Sequence, residues 1–274
     1  MRRTEFGPVG RTTSRIGLGC GRLVGRSSQR DSAKVVEAAL DLGIRYFDVA
    51  PSYGLGTAEE VLGAVIGNAS EVVIATKVGV PRPVYSERVN VARKLARSVL
   101  GRLPALKGLA RRAVGNLQSS EDRPRYDFSN SGIRASLEVS LKKLRRGSAD
   151  VLLAHEPHPL DLCEEVAARF EALRAEGLIK AFGVGIGAAG DRWARFGSIW
   201  QSCWPGPAAR NYEHDVEYIW HGAIRTLHRG PSMSEGPSPA AMVRQVLGES
   251  PTSILLVSAS TPARLRDLLG AIDS

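Results

Sequence analysis

The feature that most constrains this chain is an alternation: short apolar runs rich in β-branched residues are separated, repeatedly, by longer stretches of helical period. A strand buried on both faces reads as a continuous run of Val, Ile and Leu. Joining it to a parallel neighbour takes a crossover of a dozen or more residues, usually a helix. The pattern therefore predicts a parallel sheet built from strand–helix units. Eight strands are expected, at Ser14–Leu18, Ile44–Val49, Val72–Thr76, Val151–Ala154, Ala181–Val184, Ile199–Gln201, Glu217–Trp220 and Ile254–Val257. The first helix is expected to start at Asp31, a good N-cap, and to stop at Gly43. Further helices are expected over Thr57–Ile66, Asn130–Leu144, Leu162–Ala175 and Pro239–Leu247, with Pro262 opening the last. A hairpin turning at Pro8-Val9-Gly10 precedes them. Eight units close into an α/β (β/α)8 TIM barrel, and 274 residues suit such a barrel as one domain spanning 1–274. An open doubly wound sheet is the alternative. Around Trp204 to Val216 there is little room for a full sixth helix, so an abbreviated one is expected there.

Composition narrows the function classes. No apolar run approaches the roughly 20 residues of a membrane-spanning helix, and no apolar segment of a secretory signal follows the N-terminal charges. Cys20, Cys163 and Cys203 are scattered and odd in number, forming neither a disulfide framework nor a zinc spacing; this pattern predicts a cytoplasmic protein. The net charge of +9 is concentrated between Arg82 and Arg125, where eleven basic residues face only Glu87, Glu121 and Asp122. The remainder is close to neutral, which argues against a surface built to hold nucleic acid.

A glycine-rich stretch, Gly17-Leu18-Gly19-Cys20-Gly21-Arg22, lacks the spacing of a dinucleotide fingerprint, because Arg22 stands where the last glycine belongs. It reads as a strand end turning at a barrel rim. The chemistry lies elsewhere. Asp48, Lys77 and His155 end the second, third and fourth expected strands, and Tyr53 follows in the loop Ala50-Pro51-Ser52-Tyr53-Gly54. Active sites of such barrels sit at the C-terminal rim. Each residue alone has an ordinary explanation as a cap, loop packing, a solvated charge or a core histidine. Three adjacent strands delivering all four to one mouth is harder to explain that way. Reducing a carbonyl by hydride needs a proton for the developing alkoxide. A phenol can supply it, an ammonium lowers the phenol's pKa, a carboxylate keeps the buried ammonium charged, and a neutral imidazole orients the carbonyl.

With these residues the sequence resembles the aldo-keto reductase family. The likeness runs in family order through Ile16-Gly17-Leu18-Gly19, Asp41 to Gly54, Ala58 to Gly63, Ala75-Thr76-Lys77-Val78-Gly79, Ser140 to Leu144, Asp150 to Pro157 and Lys180 to Val184. The long insertion after Lys77 is similar to that of the sugar and galactose dehydrogenase-like branch. The resemblance implies a (β/α)8 barrel, a catalytic tetrad of Asp48, Tyr53, Lys77 and His155, and NADPH, with NADH possible, as cofactor. It implies a small carbonyl or alcohol substrate such as an aldehyde, ketone or aldose. Cofactor contacts are implied at Gly19, Cys20 and Asp48. Gln201 matches the carboxamide-binding glutamine, and Trp220 the aromatic that stacks on the nicotinamide. Ser258, Ser260 and Arg264 match the adenosine-phosphate loop, with Ser258 replacing a lysine common in some branches. The fifth strand departs from the family's Gly-Val-Ser-Asn, reading Gly183-Val184-Gly185-Ile186. Both side chains that hold the carboxamide in the family are missing.

No metal site is expected: His155-Glu156-Pro157-His158 is not H-E-x-x-H, and His158 reads as a loop residue. The basic segment has Val91, Leu95 and Val99 at helical spacing between its charges. It reads as a surface helix pair, with a lid, an anionic-substrate collar or a membrane contact as functional alternatives. The missing Ser-Asn pair also motivates a rival reading, a nucleotide-binding barrel with a regulatory or scaffold role and weak or no catalysis.

Overall fold

The computed structural model describes residues 1–24, 28–83, 126–187, 196–204, 216–224 and 237–273. A hairpin of β1 (Arg3–Phe6) and β2 (Arg11–Ser14) opens the chain, turning through Gly7–Val9 with Gly10 in the left-handed region. Eight parallel strands follow: β3 (Ile16–Gly19), β4 (Tyr46–Asp48), β5 (Val73–Val78), β6 (Ala149–His155), β7 (Ile179–Gly185), β8 (Ile199–Cys203), β9 (Glu217–His221) and β10 (Ile254–Val257). They close into a barrel in chain order, with β10 paired back to β3. The helices are α1 (Gln29–Asp41), α2 (Ala58–Val65), α3 (Asn130–Leu144), α4 (Glu164–Ala175), α5 (Pro239–Glu249) and α6 (Pro262–Asp273).

Two boundaries differ from expectation for identifiable reasons. Ser14 belongs to the hairpin. Its hydroxyl donates to the Ile16 carbonyl and accepts from the Arg45 N–H, so the chain bends at Arg15 and the barrel strand starts at Ile16. The cap of α1 is Ser28, whose Oγ accepts from the Asp31 N–H; Asp31 sits in the first turn, where its carboxylate favours the helix dipole. Several strands also run a residue or two beyond their apolar runs, because pairing with both neighbours extends to the polar residues at the rim. The segment expected to hold the abbreviated sixth helix lies largely outside the described residues. So does the basic segment beyond Pro83.

The core has two layers. Inward-facing Tyr46, Val73, Ala75, Val151, Leu153, Ala181, Ile199, Ile219, Ile254 and Leu256 fill the barrel, and Phe6 and Val9 of the hairpin pack beneath them. The Phe6 and Tyr46 rings meet edge to face, 5.7 Å apart. The bottom is thus closed by the hairpin. On the outside, α3 buries Ile133, Leu137 and Leu141, one stripe at helical spacing, against β5, β6 and α4, and Leu144 at its end packs into the cluster of α2 with Leu62 and Ile66. Near the bottom rim, Asp150 gathers Arg146, Lys180 and Arg11 at 3.1, 2.7 and 3.5 Å and accepts from the Ile74 N–H.

Candidate active site

Side chains alternate along a strand, so the residues filling the barrel fix which residues at the top also point inward. Following Tyr46, Asp48 points in; following Ala75, Lys77; following Leu153, His155; following Ala181, Gly183 and Gly185; following Ile199, Gln201; following Ile219, His221. The register climbs around the rim. Gly19 lies beside Asp48, Asp48 beside Ala75, Lys77 beside Leu153, and His155, Gly185, Gln201 and Ile219 share one level. This stagger is what a closed, tilted barrel requires. It leaves a cavity of about 380 Å³ lined by Gly19, Asp48, Tyr53, Lys77, His155, Glu156, Gln201, His221 and Ser258, among others.

Tyr53 reaches this cavity from a tight turn in which both Gly54 and Leu55 are left-handed, at φ of 58° and 59°. Glycine takes that conformation freely, and leucine does not. The turn is held by Thr57, which donates to the Gly54 carbonyl, and by Arg82, which pairs with the buried Glu59 and donates to the Gly56 carbonyl. Glu59 also accepts from Thr76 on β5, which ties the tyrosine loop to the strand that carries Lys77. Arg82, the first residue of the basic segment, thus braces the active-site loop.

Lys77 Nζ lies 2.5 Å from Asp48 Oδ1, donates to the Val49 carbonyl and sits 4.6 Å from the centre of the Tyr53 ring. Both charged residues are almost fully buried. Burial works to lower the lysine pKa, but the Asp48 carboxylate, with Tyr53, outweighs it, and the net direction is upward: Lys77 stays an ammonium. The Tyr53 ring meets the His155 ring edge to face at 5.7 Å. Burial, first, and then the Lys77 charge push the His155 pKa down to about 3, so the imidazole is neutral. For Tyr53 the balance differs from the sequence expectation of a lowered pKa. Burial raises it, Lys77 pulls it down, and the result lies above the ordinary value. The phenol is therefore protonated at neutral pH, the form a proton donor needs.

The other expected contacts divide. Gln201 points into the cavity. Its Oε1 is buried and has no hydrogen-bond partner among the described residues, which fits a ligand group such as a primary amide. Ser258 lines the cavity and donates to the Gly19 carbonyl, joining β10 to β3 at the rim. Arg264 donates to Ser260 Oγ at 3.2 Å at the start of α6, where Thr261 accepts from the Arg264 N–H.

Of the expected residues, Cys20 and Trp220 are not among those lining the cavity. Cys20 begins a short helical turn that carries its thiol into the outer core, fully buried and with its pKa raised by burial; Gly21 and Arg22 line the cavity instead. Trp220 is out of phase with Ile219. Its ring is directed into the strand–helix layer with Val243, Val246 and Leu255, stacked at 5.1 Å on Tyr218. The inward residue at the end of β9 is His221, whose Nε2 lies 2.8 Å from the Ile186 carbonyl.

Glu156 is a site residue that the sequence does not announce. It follows His155 with a left-handed backbone (φ 50°), lies half-buried in the cavity wall, and accepts from the Gly187 N–H. His158 is a loop residue that caps a short turn. Among the described residues there is no cluster of metal-ligating side chains and no helix long and apolar enough to cross a membrane.

Comparison with known proteins places this geometry. The sequence profile of the Aldo/keto reductase family matches residues 15–191. D-threo-aldose 1-dehydrogenase of a Pseudomonas species is 37% identical over 171 residues, 60% of this chain and 46% of that protein. Pyridoxal 4-dehydrogenase of Microbacterium luteolum is 32% identical over 67% of this chain and 55% of its own. The matched regions thus span about half the length of these relatives. Among solved structures, an aldo-keto reductase of Bacillus halodurans in its holo form superposes with a TM-score of 0.69 over all of this chain and 91% of its own, at 18% identity. The glycerol dehydrogenase of Gluconobacter oxydans does so with the same score over 99% of this chain and 90% of its own, also at 18% identity. A closed eight-stranded barrel, a tyrosine–lysine–aspartate–histidine cluster at its mouth and a family profile spanning most of the strands that carry it lead to one conclusion: the chain belongs to the aldo/keto reductase family.

Proposed function

We propose that the protein is a nicotinamide-dependent oxidoreductase that interconverts a small carbonyl and an alcohol, with Tyr53 as the proton donor and acceptor. The observation that carries this reading is the placement of Tyr53 between a buried ammonium and a neutral imidazole inside one cavity. When bound, the nicotinamide supplies the hydride. Gln201 would hold its carboxamide, Gly19 and Ser258 would line its path, and Ser260, Arg264 and the start of α6 would meet the phosphate-bearing end. NADPH is favoured over NADH because Arg264 is the cation in that loop, and a guanidinium can fork onto a phosphate.

In the reduction direction, His155 donates a hydrogen bond to the carbonyl oxygen and fixes its orientation. Tyr53 gives its proton to the same oxygen as negative charge develops there. Lys77 stabilises the phenolate left behind, and Asp48 holds Lys77 charged and in place. Alcohol oxidation runs the same proton in reverse. The relatives named as aldose and pyridoxal dehydrogenases support an aldose or another hydroxyl-bearing aldehyde as substrate. Cys20, Cys163 and Cys203 form no disulfide among the described residues, which suits a reducing compartment such as the cytoplasm. The test is consumption of NADPH, and separately NADH, by the purified protein across a panel of aldehydes and ketones, beside reduction of NADP⁺ and NAD⁺ across a panel of aldoses and alcohols. Turnover of at least one supports the reading; tight nucleotide binding with no turnover of any would favour a regulatory barrel.

A further inference from the structure

The end of β7 offers no polar side chain to a ligand: it reads Gly185, Ile186, Gly187. Its neighbours do. Gln201 is level with Gly185 on one side, and its Oε1 is a buried acceptor without a partner among the described residues. On the other side is His155, followed by Glu156. The Glu156 carboxylate lies over Gly187 so closely that a Cβ there would come within 2.5 Å of Oε1. It occupies the space a side chain at 187 would fill. A left-handed backbone costs a non-glycine residue about 1–2 kcal/mol, so this placement is held against a local preference. Two acceptors thus flank a strand end that bears only glycines and one isoleucine. The complementary ligand group has two N–H bonds on one nitrogen.

Building on the nicotinamide reading above, we propose that Glu156 is a cofactor-binding residue, its carboxylate and Gln201 Oε1 accepting the two N–H bonds of the nicotinamide carboxamide. Glu156 thereby supplies from β6 the polar contact that β7 lacks, and Gly187 is small because the carboxylate fills its place.

The test compares NADPH with its 3-acetylpyridine analogue, in which a methyl group replaces the carboxamide NH2. Both are titrated by quenching of the protein's tryptophan fluorescence. Glu156→Gly, which suits the left-handed backbone, should melt no lower than the wild type. It should bind NADPH roughly 10- to 150-fold more weakly, the range for a hydrogen bond to a charged group. It should bind the analogue within about twofold of wild type. Glu156→Gln, which keeps an acceptor without the charge, should fall between. Equal weakening of both nucleotides, or no change in either while the KM for the carbonyl rises, would overturn the assignment and place Glu156 against the substrate. A wild-type protein that binds neither nucleotide would instead overturn the nicotinamide reading itself.

Discussion

Lys77→Met tests the electrostatic argument most sharply, because the same charge stabilises the fold and tunes the tyrosine. At 4.6 Å from the phenol ring, and with an effective dielectric of about 20, a unit positive charge stabilises a phenolate by about 3–4 kcal/mol. That corresponds to roughly 10²–10³-fold in the balance between phenolate and phenol. Burial already holds that pKa above its ordinary value, and removing the opposing cation moves it further up. Alcohol oxidation needs the deprotonated phenol, whose fraction falls tenfold for each pH unit below the pKa. The variant should therefore lose about 10²-fold or more in oxidation rate at pH 8, with its pH–rate profile displaced upward by about two units or more. The substitution also strands Asp48, which is only 3% exposed. An unpaired buried carboxylate costs about 3–5 kcal/mol of stability. Asp48→Asn/Lys77→Met removes both charges and should recover most of the melting temperature without recovering the rate. The assay is initial NADP⁺ reduction across pH 6–11 beside thermal melts of all three proteins. A folded, active Lys77→Met protein with the wild-type pH profile would refute the reasoning.

Three further outcomes follow from the same geometry. His155 stays neutral when folded down to about pH 3 but titrates near pH 6.5 when unfolded, so stability falls as pH drops through that window; about 2–3 kcal/mol should be lost between pH 7 and pH 4.5, and His155→Gln should remove that share in denaturant titrations. Arg264→Ala should weaken NADPH roughly 10- to 150-fold and leave NADH nearly unchanged; equal weakening of both would mean the guanidinium stacks on the adenine. Asp150→Ala should cost about 3–5 kcal/mol in urea melts, because it leaves Arg146 buried without its carboxylate, while NADPH binding at the opposite rim stays intact.

The barrel is legible in the sequence because parallel buried strands have to be nearly all apolar, and eight such runs stand out from the helices between them. The gathering of Asp48, Tyr53, Lys77 and His155 at one mouth is legible for a related reason: a charged or polar residue just beyond an apolar strand must be solvated, paired or functional. Trp220 is misplaced when an aromatic at a strand end is matched to a role without following the alternation from Ile219, which assigns the inward position to His221. The Ser28-x-x-Asp31 spacing is a capping signal, and reading Asp31 alone shifts the helix start. Glu156 has no such local signal. Its place in the cavity depends on a left-handed turn that nothing in His155-Glu156-Pro157 announces, and on the empty space above Gly187 across a strand boundary. The direction of the Tyr53 pKa is likewise beyond the sequence, since it depends on how deeply the phenol is buried.

The central claim is that Tyr53 is the proton donor and acceptor for hydride chemistry at the mouth of this barrel. The most direct measurement is single-turnover oxidation of bound NADPH by an accepted carbonyl, in the wild type and in Tyr53→Phe. The variant loses one hydroxyl from a side chain whose ring packs against His155 and lies near Lys77. It should keep its fold and bind NADPH normally, and its chemical step should slow by roughly 10²–10⁴-fold, the range for a lost general acid. A Tyr53→Phe protein that oxidises NADPH within a few-fold of the wild-type rate would contradict the account.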